Sequence, residues 1–168
     1  LLDKLVLRGI APPILLRFGE ILKHRLGEIH GAFQSAIAEH NYQGKYCCVF
    51  PIKVNQQRQV VEEVFEYGQP YGFGLEAGSK PELLAVMAIA NNATPIVCNG
   101  FKDDEYIEMV MHAKKIGRQI TPVVEKFTEL DRIKQKTHHQ NQLNQTSFLM
   151  RKTKILDCRG LRIQGART

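Results

Sequence analysis

A chain of 168 residues that is 43% hydrophobic and 24% charged has the makings of one ordinary globular domain, neither disordered nor fibrous. No apolar run approaches the 18 or so residues that span a bilayer, because Arg8 and Pro12-Pro13 interrupt the apolar start. That start also lacks the basic segment and the small-residue cleavage site of a signal peptide. The four cysteines, Cys47, Cys48, Cys98 and Cys158, form no Cys-x-x-Cys pair, which reads as reduced thiols in a cytoplasmic protein.

The net charge of +6 is unevenly placed. Residues 1–125 carry 13 Lys+Arg against 14 Asp+Glu, whereas residues 126–168 carry 10 against 3. A near-neutral body with a basic tail argues against a nucleic-acid-binding domain, and no interleaved aromatics offer base stacking there.

In chain order, the short apolar run Ile14-Leu15-Leu16 precedes a helical pattern from about Gly19 to His40, with apolar residues near a 3.6 period. Tyr46 to Phe50 reads as a buried strand. Asn55 is placed to cap a helix through Val60, Val61, Val64 and Phe65 that stops at Gly68. Phe73-Gly74-Leu75 is the next strand. Ser79-Lys80-Pro81-Glu82 is a capping box with proline in the first turn. Pro95 to Cys98 is a strand, Asp103 caps a helix to Gly117, and Ile120 to Val124 is another strand. Thr128-Glu129-Leu130 opens a further helix.

Strand then helix, repeated about four times, predicts a parallel sheet with crossover helices. No Gly-x-Gly-x-x-Gly follows a first strand, which disfavours an open dinucleotide-binding sheet. The expected class is therefore α/β, a partial (β/α)8 TIM-type barrel with about half its strands, since a whole one takes about 250 residues. From Gln135 to Gln145 glutamine, asparagine and histidine dominate, and a basic stretch follows. Residues 131–168 thus read as a basic, poorly ordered tail with a candidate fifth strand near 161–163.

Chemistry gathers in Val49-Phe50-Pro51-Ile52-Lys53-Val54-Asn55-Gln56-Gln57. Strand alternation puts Cys47, Val49, Pro51 and Lys53 on one face. If that face lines a barrel, Lys53 is an amine at the carboxyl end of a strand, where barrel enzymes place their chemistry. Desolvation there disfavours the ammonium and frees the lone pair a Schiff base requires. A lysine that merely ends a strand and reaches water is the plainer alternative.

The segments Pro13 to Phe18, Phe50 to Gln57, Gly74 to Leu83 and Cys98 to Asp103, in order and at matching intervals, resemble the biosynthetic arginine decarboxylases. These are pyridoxal-phosphate enzymes built on an alanine-racemase-like barrel. The resemblance covers about residues 1–130, which it identifies as the N-terminal half of the pyridoxal-phosphate-binding barrel. It implies that Lys53 carries pyridoxal phosphate as a Schiff base and that arginine loses CO2 to give agmatine, for polyamine and spermidine synthesis. It further implies that Glu76 lies near the lysine and the ring, and that magnesium is required, with no residue assigned to it. Asn99 and Lys102 are candidates for the mouth of the site, and Glu125 ends the fourth strand. A homo-oligomer is implied for the full-length family.

Downstream of residue 130 the pattern departs from the family, and no glycine-rich phosphate segment or ring-stacking histidine is visible. A truncated or frameshifted gene product would account for that. The chain alone is expected to be inactive, because catalysis needs lysine, phosphate clamp and ring contacts held together. Two alternatives stay open: a non-catalytic truncated interaction module, and a decarboxylase of another basic amino acid.

Overall fold

The structure is a computed structural model that describes residues 1–138 and 149–150. Its elements are α1 (Leu2–Val6), α2 (Gly19–Glu39), β1 (Val49–Pro51), α3 (Arg58–Gly68), β2 (Gly74–Ala77) and α4 (Lys80–Ile89). They continue through β3 (Ile96–Cys98), α5 (Asp104–Lys115), β4 (Ile120–Val124), α6 (Phe127–His138) and β5 (Leu149–Met150). The five strands pair in parallel in the order of the chain, β1-β2-β3-β4-β5. Each strand returns through a helix to the next position in the same direction, which is the repeat of a (β/α) barrel. The described strands form an open arc of it.

Register separates two rows of side chains. Phe50, Leu75, Ile96 and Ile120 lie abreast, as do Pro51, Glu76, Val97 and Thr121. The first row and its neighbours Ala77 and Cys98 pack under the helices with Val61, Leu83, Val86, Val110 and Ala113. A second cluster joins Ile107 and Met111 of α5 to Val124, Leu130 and Ile133. The row of Pro51, Glu76, Val97 and Thr121 is only half-buried. A barrel row becomes dry when strands close opposite it.

Several starts and stops follow from local chemistry. The Ser79 hydroxyl accepts the Glu82 N–H at 3.5 Å, and Asp103 Oδ1 accepts the Tyr106 N–H at 2.9 Å, so both act as helix N-caps. Arg118 closes the other end of α4, its guanidinium donating to the carbonyls of Ala90 and Met87. Gly100, at φ +76°, passes so near β2 that a Cβ would stand 2.5 Å from the Gly78 carbonyl oxygen. Only glycine tolerates both conditions.

Some boundaries differ from the sequence reading. The first strand is Val49–Pro51 rather than Tyr46 to Phe50. Asn55 does not cap α3; Gln57 stands at the cap, and Asn55 Oδ1 instead accepts the Gln57 N–H at 3.0 Å. Asparagine commonly makes this two-residue turn, and it leaves the helix to start later. The fifth strand lies at Leu149–Met150, and the segment 161–163, like most of the basic tail, lies outside the described residues. Among the described residues no helix is long and apolar enough to cross a membrane.

Candidate active site

The carboxyl ends of the strands form one rim, and of the sequence candidates Lys53, Glu76, Asn99 and Glu125 fall along it. Lys53 stands two residues beyond β1 in a 3-10 turn, Ile52–Val54. Ile52 is drawn under the helices, 3% exposed, while Lys53 and Val54 are exposed. The expectation of a dry amine continuing the strand is therefore corrected twice. Burying Ile52 turns the backbone and ends the alternation at Pro51, and the open arc leaves water over the half-buried row beside it. The stretch after Lys53 is pinned from outside, where the Arg17 guanidinium donates to Gln57 Oε1.

Glu76 lies on β2 opposite Pro51, on the half-buried face, between Leu75 and Ala77 that face the helices. Gly74 beside it admits backbone, since a Cβ there would stand 2.3 Å from the Pro95 carbonyl oxygen. Asn99 follows β3 and prolongs its ladder by one residue, its N–H donating to the Ala77 carbonyl at 3.0 Å. Alternation thus puts Asn99 on the same face as Val97 and Glu76. Its side-chain Oδ1 is buried and accepts no hydrogen bond.

Lys102 does not line the mouth. It is fully buried, its ammonium 3.7 Å from Glu129 Oε2 and bonded to the Gly100 carbonyl. Glu129, which the sequence reading left unassigned, also accepts the N–H groups of Lys102 and Glu125 at 3.2 and 2.9 Å. A signal for it existed: Glu82 likewise reaches back from the first turn of its helix to the Gly78 N–H at 2.7 Å. Both glutamates bond a backbone donor four residues earlier, where a strand has just ended. Glu125 sits at the rim with its N–H so held.

A cleft of about 700 Å³ opens between α3 and α4 among Val61, Phe65, Ala85 and Ile89. It belongs to the helical side of the sheet, away from Glu76 and Asn99. Among the described residues no group of three or more His, Cys, Asp or Glu side chains could hold a metal ion, and no residue is assigned to magnesium. Pyridoxal phosphate fits the rim better. The exposed amine of Lys53 meets the need of an aldehyde.

Residues 26–153 match the family described as pyridoxal-dependent decarboxylase, pyridoxal binding domain. The chain is 54% identical over 133 residues to the biosynthetic arginine decarboxylase of Rhodopirellula baltica, covering 79% of this chain and 20% of that protein. It is 56% identical over 131 residues to that of Geotalea daltonii, covering 77% and 21%. The crystal structure of the biosynthetic arginine decarboxylase of Campylobacter jejuni superposes with a TM-score of 0.80 at 36% identity, over 89% of this chain and 25% of that one. The chain spans about a fifth of the length of the curated relatives it matches.

Proposed function

We propose that this chain, which belongs to the pyridoxal-dependent decarboxylases through their pyridoxal-binding domain, is part of an arginine decarboxylase that yields agmatine and CO2. The observation that carries this reading is identity above one half, over 131 to 133 residues, with relatives named biosynthetic arginine decarboxylase. Pyridoxal phosphate, when bound, supplies an electron sink for the pair left as CO2 departs. Lys53 offers its primary amine at the rim, where an aldehyde reaches it without rearrangement of the fold. Glu76, on the half-buried face of β2 opposite Pro51, is the carboxylate that the resemblance sets near the lysine and the ring.

The half-buried row beside Lys53 and Glu76 admits water, so these residues alone do not make a dry, complete site. The 168-residue chain with pyridoxal phosphate and labelled arginine is expected to release no CO2 above a lysine-labelled blank. Steady agmatine formation would contradict that. Substrate choice is tested by exchanging residues 26–130 into the Geotalea daltonii relative. Retained release of CO2 from arginine, lost on Lys53→Ala, supports the reading; a chimera that folds and acts on lysine instead refutes it. Cytoplasmic placement, a role in polyamine and spermidine synthesis, a magnesium requirement and a homo-oligomeric whole belong to the same proposal.

A further inference from the structure

Glycine at a strand end answers a left-handed backbone, the close approach of another backbone, or a ligand that needs the space. Gly74 and Gly100 answer the second, since a Cβ on them would stand 2.3 and 2.5 Å from the carbonyl oxygens of Pro95 and Gly78. Gly78 answers neither of the first two. It is not among the glycines of positive φ, and among the described residues a Cβ there would meet only Glu82 Oε2, at 3.3 Å. That atom ends a flexible side chain and can give way. The fold therefore has room for a side chain at residue 78, and the sequence supplies none.

The place of Gly78 points to the third cause. Alternation sets it on the face of Glu76, because Ala77 between them is buried under the helices. Pro51 and Glu76 are register partners, and Lys53 and Gly78 each stand two residues beyond them. The turn that carries Lys53 lies against β2. Gly78 is half-buried and Lys53 is exposed, so a molecule from solvent reaches both. The backbone of Gly78 is also held still. Its N–H donates to Glu82 Oε2 at 2.7 Å, and Gly100 is wedged against its carbonyl. A bare, fixed patch of peptide thus lies beside the candidate amine.

We propose that Gly78 is a specificity-determining residue for the cofactor: its bare backbone seats the flat ring of the aldehyde that joins Lys53, and a side chain there keeps the ring out. The inference rests on Lys53 being the cofactor lysine. It assigns β2 the task of making room for the ring, while β1 supplies the point of attachment.

The test uses the 168-residue chain, its Gly78→Ala and Gly78→Val variants, and two aldehydes, pyridoxal 5'-phosphate and the ringless glyoxylate. Each mixture is reduced with borohydride and mapped by peptide, and the label on Lys53 is divided by that on the exposed Lys23 and Lys45. At limiting aldehyde, Gly78→Ala should lower pyridoxyl labelling of Lys53 roughly fivefold and Gly78→Val more, the cost of forcing extra carbon into a filled contact. Carboxymethylation of Lys53 by glyoxylate should stay at the wild-type level in both. Where Gly78→Val does not fold, Gly78→Ala, whose Cβ the structure accommodates, decides the matter. Undiminished pyridoxyl labelling in the folded variants would overturn the proposal and leave the cofactor-lysine reading standing. An equal fall for the two aldehydes would overturn it as well, because the substitution would then act on the lysine and not on the ring. Wild-type label absent from Lys53 would overturn the cofactor-lysine reading itself, and this inference with it.

Discussion

Lys102 and Glu129 meet in the interior with Nζ and Oε2 3.7 Å apart and neither side chain exposed. The pair ties the loop after β3 to the first turn of α6, and the Arg132 guanidinium adds a bond to the Lys102 carbonyl at 3.3 Å. Two buried charges survive because each is bonded by more than its counterpart.

Removing one member should therefore cost more than removing both. Lys102→Met leaves the Glu129 carboxylate buried with too few donors, a loss of about 3–5 kcal/mol. The double variant Lys102→Met, Glu129→Gln keeps an acceptor for the backbone donors and no lone charge. Urea unfolding should rank it above Lys102→Met alone; equal or lower stability would show that the ion pair itself is the source.

Two of the left-handed glycines, Gly72 and Gly100, separate strain from crowding. Gly72, at φ +70°, has open space where a Cβ would stand, whereas at Gly100, φ +76°, a Cβ would meet the Gly78 carbonyl. Gly72→Ala should cost about 1–2 kcal/mol, the left-handed penalty alone. Gly100→Ala should cost clearly more and disturb the rim. Thermal melts with similar losses for the two would contradict the close approach.

Lys80 joins two helix starts, its ammonium 2.8 Å from Asp103 Oδ2. That partner, with the Tyr106 N–H, holds the Asp103 carboxyl below its ordinary value. A depressed carboxyl contributes stability that is present above the unfolded value of about 3.9 and is lost as pH falls through the folded one. Asp103→Asn retains the cap and removes the charge. Urea midpoints followed from neutral to strongly acid pH should fall less steeply at the acid end in the variant, and parallel curves would refute the assignment.

The cysteines should react in an order set by burial. Cys98 lies under the sheet at 0% exposure, and burial pushes its thiol up to about 12, against the pull of Tyr106 and Lys102. Cys47 is exposed, with a smaller rise from partial burial. Timed alkylation in mildly alkaline buffer should label Cys47 while Cys98 stays protected until urea unfolds the chain. Early labelling of Cys98 would contradict its place in the core.

Much of the architecture was legible because local chemistry determines it. The α2 pattern, the caps at Ser79 and Asp103 and the strand Ile120–Val124 each rest on residues within a few positions of one another. The turn after Pro51 was hidden, since an apolar isoleucine continues a strand pattern as readily as it fills a core from a 3-10 turn. The Lys102–Glu129 pair joins residues 27 apart in sequence, and nothing periodic connects them. The two-residue β5 is too short for any pattern. For the site, residue types and strand ends located Lys53, Glu76 and Asn99 on one rim, while exposure depended on packing that only the fold shows.

The most direct test of the central proposal is the address of the cofactor on the unmodified chain. The protein is mixed with substoichiometric pyridoxal phosphate, reduced with borohydride, digested and mapped. We expect the pyridoxyl group chiefly on the peptide containing Lys53, with little on the exposed Lys4, Lys23, Lys45 and Lys115. Label shared among those lysines in proportion to their exposure would contradict it.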